Sequence, residues 1–180
     1  VELMKEHNCK ALYVNAGTNL YYFTGTKWNA SERMVGAVLF DDETVEYIVP
    51  KFEEGTFKTF MQIEGNLNFW EEHESPSELF GHILKNKNIT DGDIALDESA
   101  AFFLIDGISK ANPHFSFVNA QPITAGCRMH KSANEIAIIQ RAKDITMTVQ
   151  KAAASILHPG ISVSTVVDFI HKAHIKAGIA

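Results

Sequence analysis

The segment DIALDESAAFFLIDGISKANPHFSFVNA, residues 93–120, has the pattern of a strand, a helix and a second strand in succession. DIALD (93–97) and FSFVNA (115–120) are the strand candidates, and the helical segment SAAFFLIDGISKA (99–111) lies between them. The same alternation extends upstream through most of the first 126 residues. It predicts an α/β domain in which helices cover a mixed sheet.

Upstream of this segment, runs of β-branched and aromatic residues alternate with amphipathic stretches. Strands are predicted at ALYVNA (11–16), NLYYFTG (19–25), MVGAVLF (34–40), VEYIVP (45–50) and NLNFW (66–70). The third and fourth of these flank the turn-forming DDET, so we expect them to pair as a hairpin. Helices are predicted at KFEEGTFKTFM (51–61) and at SPSELFGHILKNK (75–87), which begins with a serine and a proline.

The character of the sequence changes after Gly126. Ser132 and Glu135 have the spacing of a capping box. Apolar residues then recur at intervals of three and four, which predicts a helix of some six turns: Ile136, Ile139, Ala142, Ile145, Val149, Ala152 and Ile156. A second helix is predicted at STVVDFIHKAHIKA (164–177), closed by Gly178. Two helices cannot bury both faces alone, so we expect them to open a larger, incomplete domain.

Composition and charge narrow the class of protein. The chain is 46% hydrophobic and 21% charged, and no apolar stretch approaches the roughly 18 residues that span a bilayer. Residues 1–126 carry a net charge of −10 and residues 127–180 a net charge of +4. An acidic first part argues against nucleic-acid binding, because it repels phosphates. Two cysteines do not make a disulfide framework, so we expect free thiols in a reducing compartment, the cytoplasm.

Three motifs carry a resemblance to a known family. NLYYFTG resembles the N-x-x-Y-[LFY]-[TS]-G strand of the creatinase/prolidase/aminopeptidase P family, the two-domain pita-bread metallopeptidases. RMHKSANEIAIIQRAKDI (128–145) resembles the R-x-x-K-s-x-x-E-i-x-x-[IL]-x-x-A segment that opens their catalytic domain. HPGIS (158–162), followed by a helix and KAGI, is similar to the next element of that domain. The motifs occur in the family's order and at plausible separations.

The resemblance implies a creatinase N-terminal-like, three-layer α/β domain at residues 1–126. Residues 127–180 would then be the two opening helices of an incomplete pita-bread α+β catalytic domain. In the family, two divalent metals (Mn²⁺, Co²⁺ or Zn²⁺) are held by two aspartates, a histidine and two glutamates. No residues here match those ligands, so the resemblance places no metal ligand and no catalytic residue in this chain, which we expect to be inactive by itself.

The function implied for the complete protein is that of a Xaa-Pro aminopeptidase or Xaa-Pro dipeptidase, which hydrolyses the bond before proline in a peptide or dipeptide. The N-terminal domain would form the contact of a homodimer and restrict substrate access. Two alternatives stay open. The same scaffold carries creatinase-like amidinohydrolases, and some proteins keep it as a non-catalytic binding module. Neither nucleic acid nor a membrane is an expected partner.

The resemblance also points to two substrate-binding residues in the loop TGTKWNASERMVGAVLF (24–40). In creatinase-like relatives this loop crosses to the partner subunit, and an arginine before the following strand contacts substrate there. Arg33 has a similar place, and its planar guanidinium suits a substrate carboxylate. Trp28 could line the same subsite by apolar contact and stacking. The alternative is that Arg33 pairs with Glu32 or another surface acid and that Trp28 packs on its own domain.

The remaining candidates have simpler interpretations. His171 and His174 share a helical face, but no third ligand accompanies them, so we expect surface or packing histidines. The acidic segment around His73 is expected to be a solvated loop. Asn19 and Gly25 are expected to shape a turn. Arg128, Lys131 and Glu135 are interpreted as a device that starts a domain and caps a helix: none of these residues is assigned a catalytic role.

Overall fold

The computed structural model describes residues 1–179, which form two compact units, one ending at Met129 and the other beginning at His130. The strands are β1 Cys9–Asn15, β2 Gly36–Phe40, β3 Val45–Pro50, β4 Asn66–Trp70, β5 Asp93–Leu96 and β6 Ser116–Asn119. The helices of the first unit are α1 Glu2–Glu6, α2 Thr18–Thr24, α3 Glu54–Phe60, α4 Pro76–Asn86, α5 Phe102–Ala111 and α6 Gln121–Met129. The second unit holds α7 Ala133–Ser155 and α8 Val163–Lys176.

The six strands form one mixed sheet in the order β4-β3-β2-β1-β5-β6. The β1–β2 and β2–β3 pairs are antiparallel, and the other three pairs are parallel. The hairpin predicted from DDET is confirmed as β2–β3, with Val38 opposite Glu46. The strand–helix–strand pattern of residues 93–120 is confirmed as β5, α5 and β6.

Side chains alternate between the two faces of the sheet and build two cores. In β1, Ala11 and Tyr13 belong to the core beneath α4 and α5, which also contains Phe80 and Ile108. Leu12 and Val14 point the other way, into the core that receives Met4 of α1, Leu20 of α2, Phe57 of α3 and Ile123 of α6. The expected three-layer α/β architecture, with helices on both sides of a mixed sheet, is confirmed.

The strand predicted at NLYYFTG is wrong, because these residues form helix α2. Leu20 and Thr24, four positions apart, are buried, whereas Tyr21 and Tyr22 are 57% and 41% exposed. That is the burial period of a helix rather than the two-residue period of a strand. Gly25 ends the helix with φ of 70°, and its N–H bonds the carbonyl of Tyr21 at 2.8 Å. The aromatic residues led to the prediction of a strand. In the helix, Tyr21 and Tyr22 are exposed and do not contribute to the core.

A buried carboxylate ties α2 to the sheet. Asp97, immediately after β5, is 2% exposed. Its Oδ2 accepts the backbone N–H of Asn15 at 2.8 Å, and its Oδ1 accepts the amide of Asn19 at 2.9 Å. The backbone N–H and hydroxyl of Ser99 complete the set, each at 2.7 Å from Oδ1. Arg128 of α6 then donates from Nη1 to Asn19 Oδ1 at 2.7 Å. Asn19 was expected to shape a turn and Arg128 to start a domain, but Asn19 lies within α2 and Arg128 lies in α6 of the first unit, where both belong to one hydrogen-bond network.

Glu98 extends this network toward α6. Its carboxylate accepts the hydroxyl of Thr124 at 2.8 Å and the amide of Asn19 at 3.1 Å. Burial acts to raise the pKa of Glu98, but the hydrogen bonds, that from Thr124 foremost, and the charge of Arg128 together hold the pKa below its ordinary value. The ionised carboxylate is thus the form that the folded state favours.

The sequence predicted where helices α4 and α7 begin. Ser75 caps α4 by accepting the N–H of Glu78 at 3.2 Å, with Pro76 in the first turn. In the second unit, Ser132 accepts the N–H of Glu135 at 3.2 Å, and the Glu135 carboxylate accepts the Ser132 N–H at 2.7 Å. The predicted capping box is therefore confirmed.

The second unit exposes much of the apolar face predicted for α7. Val149 is buried, but Ile136 and Ile139 are more than half exposed. Gly178, with φ of 83°, follows α8 as expected. The assignment of residues 1–126 and 127–180 to two domains stays a prediction, although the first compact unit includes all of α6. None of the helices described within residues 1–179 has the length and apolarity to span a bilayer.

We expect Asn19→Ala to lower the free energy of unfolding of the first unit by about 2–3 kcal/mol, because it removes donors from a buried carboxylate and an acceptor from Arg128. Urea unfolding followed by tryptophan fluorescence measures the change, since Trp28 and Trp70 both lie in the first unit. Asn29→Ala, at an exposed position, is the matched control and should change stability by less than about 0.5 kcal/mol. Equal losses in the two variants would contradict the role of the network.

The lowered pKa of Glu98 predicts a pH dependence of stability. A carboxyl whose pKa is lower in the folded state stabilises the protein above its unfolded pKa, here 4.5, and loses that contribution as pH falls through the folded value. The wild-type unfolding free energy should therefore decrease more steeply below about pH 5 than that of Glu98→Gln. Glu64→Gln controls for the removal of one surface charge. Parallel profiles for wild type and Glu98→Gln would refute the assignment.

Candidate functional site

The loop between α2 and β2 borders a groove of about 660 Å³, which we call the Trp28 groove. One wall is this loop, and the other is built by the end of β3, the residues after it and α3. The lining residues are Lys27, Trp28, Asn29, Ser31, Glu32, Arg33, Val35, Pro50, Glu53, Thr56 and Phe60. Both residues predicted to bind substrate, Arg33 and Trp28, lie in this one groove.

The loop is anchored at both ends, which fixes the groove. At its start, Gly25 ends α2 in a left-handed conformation that a side chain would strain, and Thr26 is fully buried. At its end, Met34 and Val35 are buried in opposite cores. The carbonyl of Val35 accepts the N–H of Ala16 at 2.9 Å, and that of Met34 accepts the indole N–H of Trp70 at 3.1 Å. Only the middle of the loop faces solvent.

Arg33 is held by acids of its own chain. Its Nε donates to Glu72 Oε1 at 2.8 Å, and its Nη1 pairs with Glu32. Its Cζ lies 5.3 Å from the centroid of the Phe52 ring, which places the guanidinium on an aromatic face. The hydrogen bond and charge of Glu72, with smaller contributions from Glu32 and Glu53, raise the pKa of Arg33 further above its ordinary value. The side chain is a permanent cation that stays 38% exposed.

Trp28 packs on the aromatic side chains of α3. Its ring centroid lies 5.4 Å from that of Phe57 and 6.2 Å from that of Phe60. Of the three phenylalanines in the helix predicted at residues 51–61, Phe57 is buried, and Phe52 and Phe60 remain exposed. Trp28 is half-buried, so part of its ring is available to line the groove.

These contacts are those of the alternative interpretation, in which Arg33 pairs with surface acids and Trp28 packs on its own domain. The role predicted for Arg33 and Trp28, substrate binding in the site of a partner subunit, therefore stays a prediction. Chemically, the groove combines a cation with an apolar wall, which suits a ligand that carries a carboxylate next to a ring. Catalysis is not assigned to it.

The residues that surround Arg33 could not be found by sequence reasoning. Glu72 was interpreted as part of a solvated acidic loop, yet it binds an arginine 39 positions away. Phe52 belongs to the predicted helix at residues 51–61, and nothing in the sequence indicated that its ring supports the guanidinium. No local signal marks either residue, because their partner is brought to them by the parallel β3–β4 pair and the loop beside it.

The described residues do not fit a dinuclear metal centre. Within residues 1–179, no group of three or more histidine, cysteine, aspartate or glutamate side chains could hold a metal ion. His171 is exposed on α8, and His174 Nδ1 lies 2.9 Å from the carbonyl oxygen of Ile170, a contact within the helix. Cys9 and Cys127 are both free thiols.

This chain is similar to several known proteins over nearly its whole length. It is 25% identical over 177 residues to the putative dipeptidase YkvY of Bacillus subtilis (strain 168), covering 98% of this chain and 48% of the relative. Similar folds occur in a dipeptidase from Pyrococcus horikoshii OT3 (21% identity, TM-score 0.81) and a prolidase from Thermococcus sibiricus (18%, 0.84). These alignments cover 98% and 99% of this chain and 48% of each of those chains.

A further similar structure is that of an N-terminal domain alone. The N-terminal domain of a Xaa-Pro dipeptidase from Lactobacillus brevis matches with 16% identity and a TM-score of 0.60, covering 70% of this chain and 99% of that domain. The chain therefore spans about half the length of the longer proteins that it matches. The family profile of the creatinase/prolidase N-terminal domain matches residues 1–130, most of the chain, and the chain therefore belongs to that family.

Proposed function

We propose that this chain is the N-terminal half of a Xaa-Pro peptidase of the prolidase or aminopeptidase P type, which hydrolyses the peptide bond before proline. The observation that carries the proposal is the Trp28 groove, an exposed cation beside an aromatic wall, within a domain of the creatinase/prolidase N-terminal family. The fold resembles that of a dipeptidase and that of a prolidase, in alignments that cover 98% and 99% of this chain, and this supports the same assignment.

In this proposal the groove binds substrate and does not act on it. Arg33 donates two parallel N–H groups to a substrate carboxylate, a geometry that a guanidinium provides and an ammonium does not. Trp28 contacts the apolar ring of a prolyl residue, and the burial of apolar surface between the two rings stabilises the complex. In a homodimer, the loop of one subunit delivers both groups to the active site of the other and narrows its entrance. The substrate class is a proline-containing dipeptide or short peptide in the cytoplasm.

The chemistry of hydrolysis is assigned elsewhere in the proposed enzyme. Two divalent metal ions, Mn²⁺, Co²⁺ or Zn²⁺, supply an activated water in a peptidase of this type. Because residues 1–179 contain no group that could hold them, no step of bond cleavage is assigned to this chain. The chain contributes binding, orientation and the subunit contact.

The binding role of Arg33 predicts that the 180-residue chain distinguishes N-acetyl-L-proline from its neutral amide. The carboxylate should bind more tightly, and Arg33→Gln should weaken it by about fivefold, the scale of one exposed charge-assisted interaction. The NMR signal of the Trp28 indole N–H reports binding, and that of the buried Trp70 is the internal reference. Equal affinity for acid and amide, or binding that Arg33→Gln leaves unchanged, would contradict the proposed function.

The arrangement between subunits makes a separate prediction for the complete enzyme. Arg33→Ala should raise KM for Gly-Pro with a smaller effect on kcat, because the lost contact is to a part of the substrate that does not react. Mixing this variant with one inactivated in the catalytic half should restore activity, since a mixed dimer has one site with both parts intact. If mixing restores nothing, Arg33 acts within its own subunit.

A further inference from the structure

We propose that the two acids bound to Arg33 have different tasks. Glu72 orients the guanidinium from outside the Trp28 groove, and Glu32 occupies, inside the groove, the nitrogen that a ligand carboxylate would take. Glu32 is then an internal competitor that sets the affinity of the groove for carboxylates, and Glu72 is a positioning residue. The inference rests on the proposed carboxylate-binding role of Arg33.

The contacts divide the guanidinium between the two acids. A guanidinium offers a carboxylate two edges for a bidentate contact, Nε with Nη2 and Nη1 with Nη2. Glu72 holds Nε at 2.8 Å, and Glu32 holds Nη1. Each edge therefore already has one nitrogen engaged. Nη1 and Nη2 each carry two N–H groups, so an incoming carboxylate on either edge competes with one of the two acids for the donors and the charge of the guanidinium.

The groove distinguishes the two edges. Glu32 and Arg33 line the groove, whereas Glu72 is not among its lining residues. The edge that contains Nη1 is therefore the one presented to a ligand in the groove. Glu32 is also the more exposed of the two acids, with 75% of its side chain accessible against 61% for Glu72. Its displacement into solvent needs only a rotation of a surface side chain.

Glu72 has the more rigid attachment. It follows β4 by two residues, and the last residue of that strand, Trp70, donates its indole N–H to the carbonyl of Met34 at 3.1 Å. Met34 is the neighbour of Arg33 and is buried. The Trp70–Met34 bond thus holds the backbone of Glu72 beside that of Arg33. Phe52 supports the guanidinium from its face, which completes its orientation.

This asymmetry predicts opposite effects for two chemically identical substitutions. Glu32→Gln removes the competing charge and should tighten binding of N-acetyl-L-proline by about two- to fivefold. Glu72→Gln replaces a carboxylate acceptor of Nε with a weaker amide oxygen, so Arg33 is held less firmly and the same ligand should bind about two- to fivefold more weakly. Glu53→Gln is the matched control: this acid lines the groove and acts on Arg33 only through its charge, so it reports the general effect of removing one negative charge.

The resting geometry can be tested without any ligand. The chain has three arginines, Arg33, Arg128 and Arg141, and Arg33→Lys identifies which Nε–H signal belongs to Arg33. Hydrogen exchange of that Nε–H should be accelerated in Glu72→Gln and unchanged in Glu32→Gln, because only Glu72 accepts from Nε. Equal exchange rates in the two variants would overturn the positioning role of Glu72.

The binding titration uses the 180-residue chain, N-acetyl-L-proline and the Trp28 indole signal. Tighter binding in Glu32→Gln than in Glu53→Gln, with weaker binding in Glu72→Gln, supports the inference. If Glu32→Gln, Glu53→Gln and Glu72→Gln all tighten binding to a similar extent, the effect is one of net charge and the inference is overturned. The proposed function still stands in that case, provided that binding depends on Arg33. Binding that survives Arg33→Gln overturns the proposed function itself, and the inference with it.

Discussion

The buried carboxylate of Asp97 is the constraint on which the first unit depends. A polar group removed from water is costly unless hydrogen bonds replace its hydration, and here four donors from Asn15, Asn19 and Ser99 do so. The donors come from β1, from α2 and from the turn after β5. Satisfying one carboxylate therefore fixes where three parts of the chain meet, and Arg128 adds α6 through Asn19.

This network fills a position at which α/β sheets commonly bind ligands. β1 and β5 are parallel neighbours, and the helices that follow them, α2 and α5, pack on opposite faces of the sheet. The crevice that opens between such diverging connections is a frequent ligand site. Here the side chains of Asn19 and Asp97 are almost fully buried in it. The candidate site lies instead along the loop that leaves α2.

The shape of the Trp28 groove depends on how the loop between α2 and β2 is held at its two ends. With α2 fixed by Asn19 and ended by Gly25, the following loop starts from a defined point. Its other end is fixed by Met34, whose carbonyl is bound by Trp70 at the end of β4. Arg33 lies next to that bond, and so it meets Glu72 from the adjoining segment. An exposed arginine thereby gains a defined orientation from buried contacts on either side of it.

The sequence by itself determined the features whose causes are local. The hairpin turn, the serine caps of α4 and α7 and the strand–helix–strand order of residues 93–120 depend on residues a few positions apart, and all were predictable. Only the tertiary structure decided that NLYYFTG is a helix, that Asp97 is the centre of a network and that Glu72 holds Arg33. In each case the stabilising partner is distant along the chain, by 78 positions for Asn19 and Asp97 and by 39 for Arg33 and Glu72. Local propensity contains no information about such partners, because the sheet and its crossovers are what bring them together.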